Sequence, residues 1–246
     1  MKPLILLSCV PLSIMMMGAD ESHTNPYAGK VQITKTEQMD FPAGGTLHLK
    51  NSTGTLTVEG WDRPRIEITT VRSSRSDYSG AQRDQWMHRL EQVEISTERH
   101  GNELMITTHY PHHRFPLPGF LRGENSFDLA YRIKVPRDTR LIDEHSLGNV
   151  SVDNLTADID ARLEEGEILL RLPPSETYAI QAKSDLGSIE SDYPGTKTVQ
   201  PWPFGHRLVA EGSGNAHKLN LRVGYGDIVI LKAIVPPQPS TTVSGR

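Results

Sequence analysis

The sequence predicts an all-β fold: a β-solenoid-like stack of short strands with one short amphipathic helix in its N-terminal half. Three observations predict it. The first is a repeated phrase, in which glycines at 54, 148, 166, 187 and 226 are each followed two residues later by an aliphatic side chain: Leu56, Val150, Ile168, Ile189 and Ile228. Four residues after the same glycines lie Val58, Val152, Leu170, Ser191 and Ile230, and seven before them lie Leu47, Leu141, Ile159, Ile180 and Leu219. Period-2 alternation on both sides of a fixed glycine describes two half-buried strands joined at a corner. Glycine suits the corner because it takes positive φ without steric cost.

The second observation is spacing. Val150, Ile159 and Ile168 are nine residues apart, so one coil of about 18 residues is expected. Gly166 to Gly187 is 21 residues and Gly187 to Gly226 is 39. The longer interval reads as two rungs, one of them lacking its glycine and holding the irregular PWPFGHRL segment. The third observation is a change of period. Tyr78, Gln82, Trp86 and Leu90 are four apart, which predicts a helix that covers an open end or face of the sheet.

In chain order, residues 1–19 read as a signal peptide: Lys2, an apolar core from Pro3 to Met17, then Gly18-Ala19. Cleavage after Ala19 is expected. The alternatives are a retained anchor and a lipoprotein modified at Cys9, which follows Leu6-Leu7-Ser8. The apolar run of about 15 residues is shorter than the roughly 20 needed to span a bilayer as a helix. Residues 20–30 are expected to be a mobile leader, 31–233 the β domain, and 234–246 a disordered tail. Within the domain, Val93–Ile95 and Leu104–Ile106 make a hairpin that turns at His100-Gly101-Asn102. Tyr110 to Gly123 holds three prolines and reads as a surface loop. Leu129 to Val135 alternates and stops at Pro136, which cannot donate to a ladder.

Cys9 is the only cysteine, so a processed chain can form neither a disulfide framework nor a cysteine-based metal or redox site. A net charge of −4 without basic runs argues against nucleic acid and anionic membrane as partners. Membrane attachment is expected only through an uncleaved signal or a lipid anchor. Hydrophobic content of 36% suits strands that bury one face and hydrate the other.

The phrases LKNSTGTLTVEGWD, YRIKVP, GNVSVDNLTADIDARLEEGEILL and GSIESDYPG occur in that order around a short helix. In this the chain resembles the bacterial putative-adhesin family of domains of unknown function, over about residues 31–233. The resemblance implies a β-solenoid-like domain in the bacterial envelope or secreted space. It transfers no catalytic residues. The irregular segment 193–213 departs from the family pattern.

No set of residues names a reaction. Polysaccharide-cutting β-helices gather carboxylates on one outer face, but the outward columns here do not stack acids. Three after the glycines the column reads Thr57, Ser151, Leu169, Glu190, Val229; six before, it reads His48, Ile142, Asp160, Gln181, Asn220. Five after, Glu59, Asp153 and Asp192 scatter around Arg171 and Leu231. Asp158 with Asp160, and the Glu164-Glu165-Glu167 run, are the local candidates, read here as a solvated surface. A carbohydrate-active alternative predicts a groove lined by Asp158, Asp160, Glu190 and an aromatic. His109, His112 and His113 cluster around Pro111, yet neighbouring side chains in an extended segment point apart, so metal ligands are not assigned. Trp61, Trp86 and Trp202 read as buried or capping rings rather than sugar platforms. Gly212-Ser213-Gly214 is a turn, with no G-x-S-x-G elbow in the chain, and no P-loop or dinucleotide fingerprint occurs.

The expectation is therefore a noncatalytic exported protein of the periplasm, cell envelope or secreted space. Its role is adhesion, scaffolding or partner binding, its partner an envelope protein or a surface glycan, and no catalytic, cofactor or metal residue is assigned. The alternatives are a carbohydrate-binding or carbohydrate-active β-helix protein and an envelope stress sensor acting through a protein partner.

Overall fold

The computed structural model describes residues 29–109, 127–200 and 205–234. The expected signal peptide, most of the leader, residues 110–126 with the expected surface loop and its His112 and His113, Trp202, and the tail beyond Ile234 lie outside these residues. The described strands join in one open, 14-stranded sheet.

Its centre is parallel. Strands β2 (Thr46–Trp61), β7 (Arg140–Asp153) and β8 (Ile159–Leu172) pair with Gly54 opposite Gly148 and Gly148 opposite Gly166. Each strand carries aliphatic residues before and after its glycine, and both sets bury into one core. The column predicted two residues after each glycine is a single backbone ladder: Leu56 pairs Val150, Val150 pairs Ile168, Ile168 pairs Ile228, and Ile228 pairs Ile189. All five side chains are buried, as are the five in the column that begins at Leu47.

The corner glycines all have positive φ, from +94° at Gly54 to +149° at Gly187. They also stack. A Cβ on Gly148 would overlap the carbonyl oxygen of Gly54, one on Gly166 that of Gly148, one on Gly226 that of Gly166, and one on Gly187 that of Gly226. Each missing side chain is thus the space occupied by the neighbouring strand's backbone.

The strands do not pair in sequence order. Next to β8 lies not the segment that follows it but the last one, β13 (His217–Tyr225) and β14 (Ile228–Lys232). Strands β9 (Tyr178–Leu186) and β10 (Ile189–Ser191) lie beyond them, parallel to β13 and β14. The 39-residue interval holds no extra rung. Its residues form β11 (Thr196–Gln200) and β12 (Gly205–Ala210), an antiparallel pair in which β12 also runs antiparallel to β9. The chain leaves β10, turns back along the outer side of β9, and returns to fill the place between β8 and β9. A repeat count along the sequence cannot see this, because the glycine register is the same whichever order the rungs take.

At the other end β2 serves two groups of strands. Its first half pairs in parallel with β5 (Glu103–His109), which makes the expected hairpin with β4 (Glu94–His100). Its second half pairs in parallel with β6 (Phe127–Pro136), followed antiparallel by β3 (Arg65–Tyr78) and β1 (Gly29–Asp40). Helix α1 (Gly80–Glu91) packs on β1 and β3, burying Trp86 and Leu90 against Val31. Tyr78 stacks on Trp86 with ring centroids 5.0 Å apart. The Arg72 guanidinium donates to the carbonyls of Leu90 and Val93, placing a cation where the helix leaves its last carbonyls unsatisfied.

Candidate functional site

The outward face of the parallel stack is built by strand register. Side chains alternate, so when Leu163, Val223, Ser184 and Leu208 face the core, the residues beside them face solvent. Backbone pairing sets Arg162 opposite Arg222, Arg222 opposite Lys183, and Lys183 opposite Arg207. Four adjacent strands, β8, β13, β9 and β12, therefore each contribute one cation to a row. With strands about 4.8 Å apart, the row spans roughly 14 Å. It lines a shallow recess of about 470 Å³ whose neighbouring positions are Asp160, Asn220 and Gln181.

Two carboxylates partly neutralise the row. Asp185 lies 2.5 Å from Lys183 Nζ and 3.2 Å from Arg222 Nη2. The hydrogen bond from Lys183, reinforced by Arg222, holds the Asp185 carboxyl below the usual carboxylate range. Asp160 lies 3.6 Å from Arg162 Nε. Among the described residues Arg207 has no carboxylate partner, so positive charge is in excess at the Arg222–Lys183–Arg207 end. Beyond the glycine corner the outward positions are Thr57, Ser151, Leu169, Val229 and Glu190, without a cation row.

The structure separates the carboxylates named from sequence. Asp158 accepts a hydrogen bond from the Lys218 backbone amide at 2.8 Å and so fixes the start of β13. Asp160 lines the recess, whereas Glu190 lies past the corner on β10, paired with Val229. The recess contains neither Asp158 nor Glu190 and no aromatic side chain. Glu164, Glu165 and Glu167 are exposed along one strand. His109 ends β5, with Nε2 3.1 Å from Ser96 Oγ. Trp61 donates to the Arg65 carbonyl and lies under the Arg63 guanidinium, while Trp86 is buried beneath α1. Among the described residues no three His, Cys, Asp or Glu side chains are placed to share a metal ion, and no helix is long and apolar enough to cross a membrane.

One polar cluster escaped the sequence reading. An irregularity in the β2–β7 ladder sets Ser52 opposite His145, and Ser52, Asp143 and His145 are all buried. Ser52 Oγ lies 2.6 Å from His145 Nδ1 and 3.2 Å from Asp143 Oδ1, and His145 Nε2 lies 3.0 Å from the Gly54 carbonyl oxygen. Burial pushes the Asp143 carboxyl up to about 7 and the His145 imidazole down. These shifts favour two neutral groups in one chain of donors. The Ser52 hydroxyl donates to Asp143 Oδ1, and the His145 ring bridges Ser52 Oγ at Nδ1 and the Gly54 carbonyl oxygen at Nε2. This is not an acyl-transfer triad, in which the carboxylate orients the imidazole and the hydroxyl faces substrate. Here the carboxyl meets the serine, and the serine is 1% exposed. The cluster fastens β2 to β7 beside the first glycine corner.

No family model matches the chain, and no curated protein matches it. Solved structures that align with the chain include bacterial proteins named as adhesins and one named as lipid binding. A putative cell adhesion protein from Clostridium sporogenes aligns at 16% identity over 81% of this chain and 100% of its own, with a TM-score of 0.45. A putative adhesin from Bacteroides fragilis aligns at 11% identity over 81% of this chain and 97% of its own, with a TM-score of 0.28. A putative lipid binding protein from Parabacteroides distasonis aligns at 10% identity over 82% and 97%, with a TM-score of 0.20.

Proposed function

We propose that this chain is a noncatalytic, exported binding domain of the bacterial envelope or cell surface. In this reading the parallel stack is a short solenoid, and its outward face is the surface offered to a partner. The observation that carries the proposal is the row Arg162–Arg222–Lys183–Arg207, four exposed or half-exposed cations held in line by backbone pairing. A β stack gives such a row unusual fixity, because each Cα is locked to its neighbours by the ladder and little backbone entropy is left to lose on binding.

The experiment is binding of the purified protein to an array of bacterial and host glycans and to solubilised envelope proteins, with product analysis for every glycan that binds. Binding without turnover is the expected result. Product release that disappears in Asp160→Asn would overturn the noncatalytic reading, since Asp160 is the acid that lines the recess.

A further inference from the structure

We propose that the cation row binds an acidic polysaccharide, a linear glycan bearing carboxylate or sulfate groups, laid across strands β8, β13, β9 and β12. This inference rests on the surface-binding reading above and names its ligand class.

The argument begins with spacing. One cation per strand gives positive charge at intervals of about 4.8 Å along a straight line, which a polymer with one charged group per monomer can meet group by group. Three of the four are arginines, whose forked donors match the two oxygens of a carboxylate or sulfate. Arg162 and Arg222 are well exposed, at 68% and 62% of the side chain, so neither needs to be dug out of the surface. Asp185 is shared between Lys183 and Arg222, and Arg207 has no acidic partner among the described residues. Three cations around one carboxylate leave a local excess of charge for an anionic ligand.

The surroundings disfavour other polyanions. Duplex DNA presents a charge every 1.7 Å or so, and so broad and dense a polyanion would meet exposed Glu164, Glu165 and Glu167 beside the row. Single-stranded nucleic acid is held by successive aromatic platforms, whereas the row itself contains none.

The full-length protein is titrated with polygalacturonate and dextran sulfate, and in parallel with neutral dextran, single-stranded DNA and phosphatidylglycerol vesicles. The expected result is binding to the two acidic polysaccharides that weakens with added salt. The double variant Arg207→Gln/Arg222→Gln should lose about tenfold or more in affinity. Arg171→Gln, beyond the glycine corner, should bind as the parent does, and matched melting temperatures check that each variant folds. Failure to bind either polymer, binding unaffected by the double substitution, or tighter binding to DNA or vesicles would overturn the inference. A neutral glycan whose binding ignores the double substitution would also overturn it while leaving the surface-binding reading in place.

Discussion

Alanine at position 166 is expected to destabilise the protein by about 3 to 5 kcal/mol, several times the effect of alanine at position 101. Both glycines have positive φ, +135° at Gly166 and +63° at Gly101. A Cβ at Gly101 meets nothing within 4 Å, so Gly101→Ala should cost only the left-handed strain of about 1 kcal/mol. At Gly166 the new Cβ would overlap the Gly148 carbonyl, and Gly226 already leans on the Gly166 carbonyl from the other side. Relief requires pulling one rung from its neighbour, which breaks ladder pairing on both flanks of the central strand. Urea denaturation of the two variants measures the difference. Equal losses would mean that the glycines are selected for φ alone and that the rungs do not touch at the corner.

The buried Asp143 cluster makes the second large prediction, in the pH dependence of stability. The Asp143 carboxyl titrates near 3.8 when unfolded and about 7 when folded, so the stability it contributes is full below about pH 4 and is lost as pH rises to 7. His145 acts in the opposite sense. Its imidazole is held neutral in the fold, so its contribution is present above the ordinary 6.5 and lost as pH falls. Between about pH 4 and 6.5 the two contributions therefore slope in opposite directions and offset each other.

Asp143→Asn should remove that offset. Stability should then rise with pH up to about 6.5, because only His145 remains. His145→Gln should do the reverse, with stability falling from about pH 4 to 7. At pH 8 the parent carries a buried carboxylate whose Oδ2 has no hydrogen-bond partner. The neutral asparagine keeps an oxygen that accepts from the Ser52 hydroxyl, so Asp143→Asn should be more stable than the parent by on the order of 3 kcal/mol at pH 8. Destabilisation at pH 8, or parallel pH profiles for parent and both variants, would show that the fold does not raise the Asp143 carboxyl.

The core of the fold was legible because burial imposes a period. Leu56, Val150, Ile168, Ile189 and Ile228 must be aliphatic if they face inward, and their glycines must be glycine if carbonyls crowd against them. Rung order left no such trace. Nothing local in Leu219 or Ile228 distinguishes a place beside β8 from one beyond β9, since both offer a parallel edge with the same aliphatic columns. The Ser52 cluster left a partial trace. Five residues before the glycines the inward column reads Leu49, Asp143, Ala161, Ala182 and Leu221, so an acid among apolar residues marks an anomaly. Its partner was hidden, because only the irregularity in β2 turns Ser52 towards it. The cation row was half visible. Four residues before the glycines stand Lys50, Glu144, Arg162, Lys183 and Arg222, a mostly basic column. A search for stacked acids passes over it, and Arg207 joins the row from a hairpin outside the repeat.

The central claim is that β13 lies between β8 and β9, since this placement makes the four cations neighbours. Cysteine pairs on the outward face test it in a Cys9→Ser background. Adjacent strands bring Cα atoms to about 4.8 Å, inside the range a disulfide can bridge, whereas strands two apart are at roughly twice that distance and outside it. Oxidation should therefore cross-link Asp160→Cys with Asn220→Cys, and Asn220→Cys with Gln181→Cys, but not Asp160→Cys with Gln181→Cys. Efficient cross-linking of the 160 and 181 pair, with none to 220, would place the rungs in sequence order and dismantle the cation row.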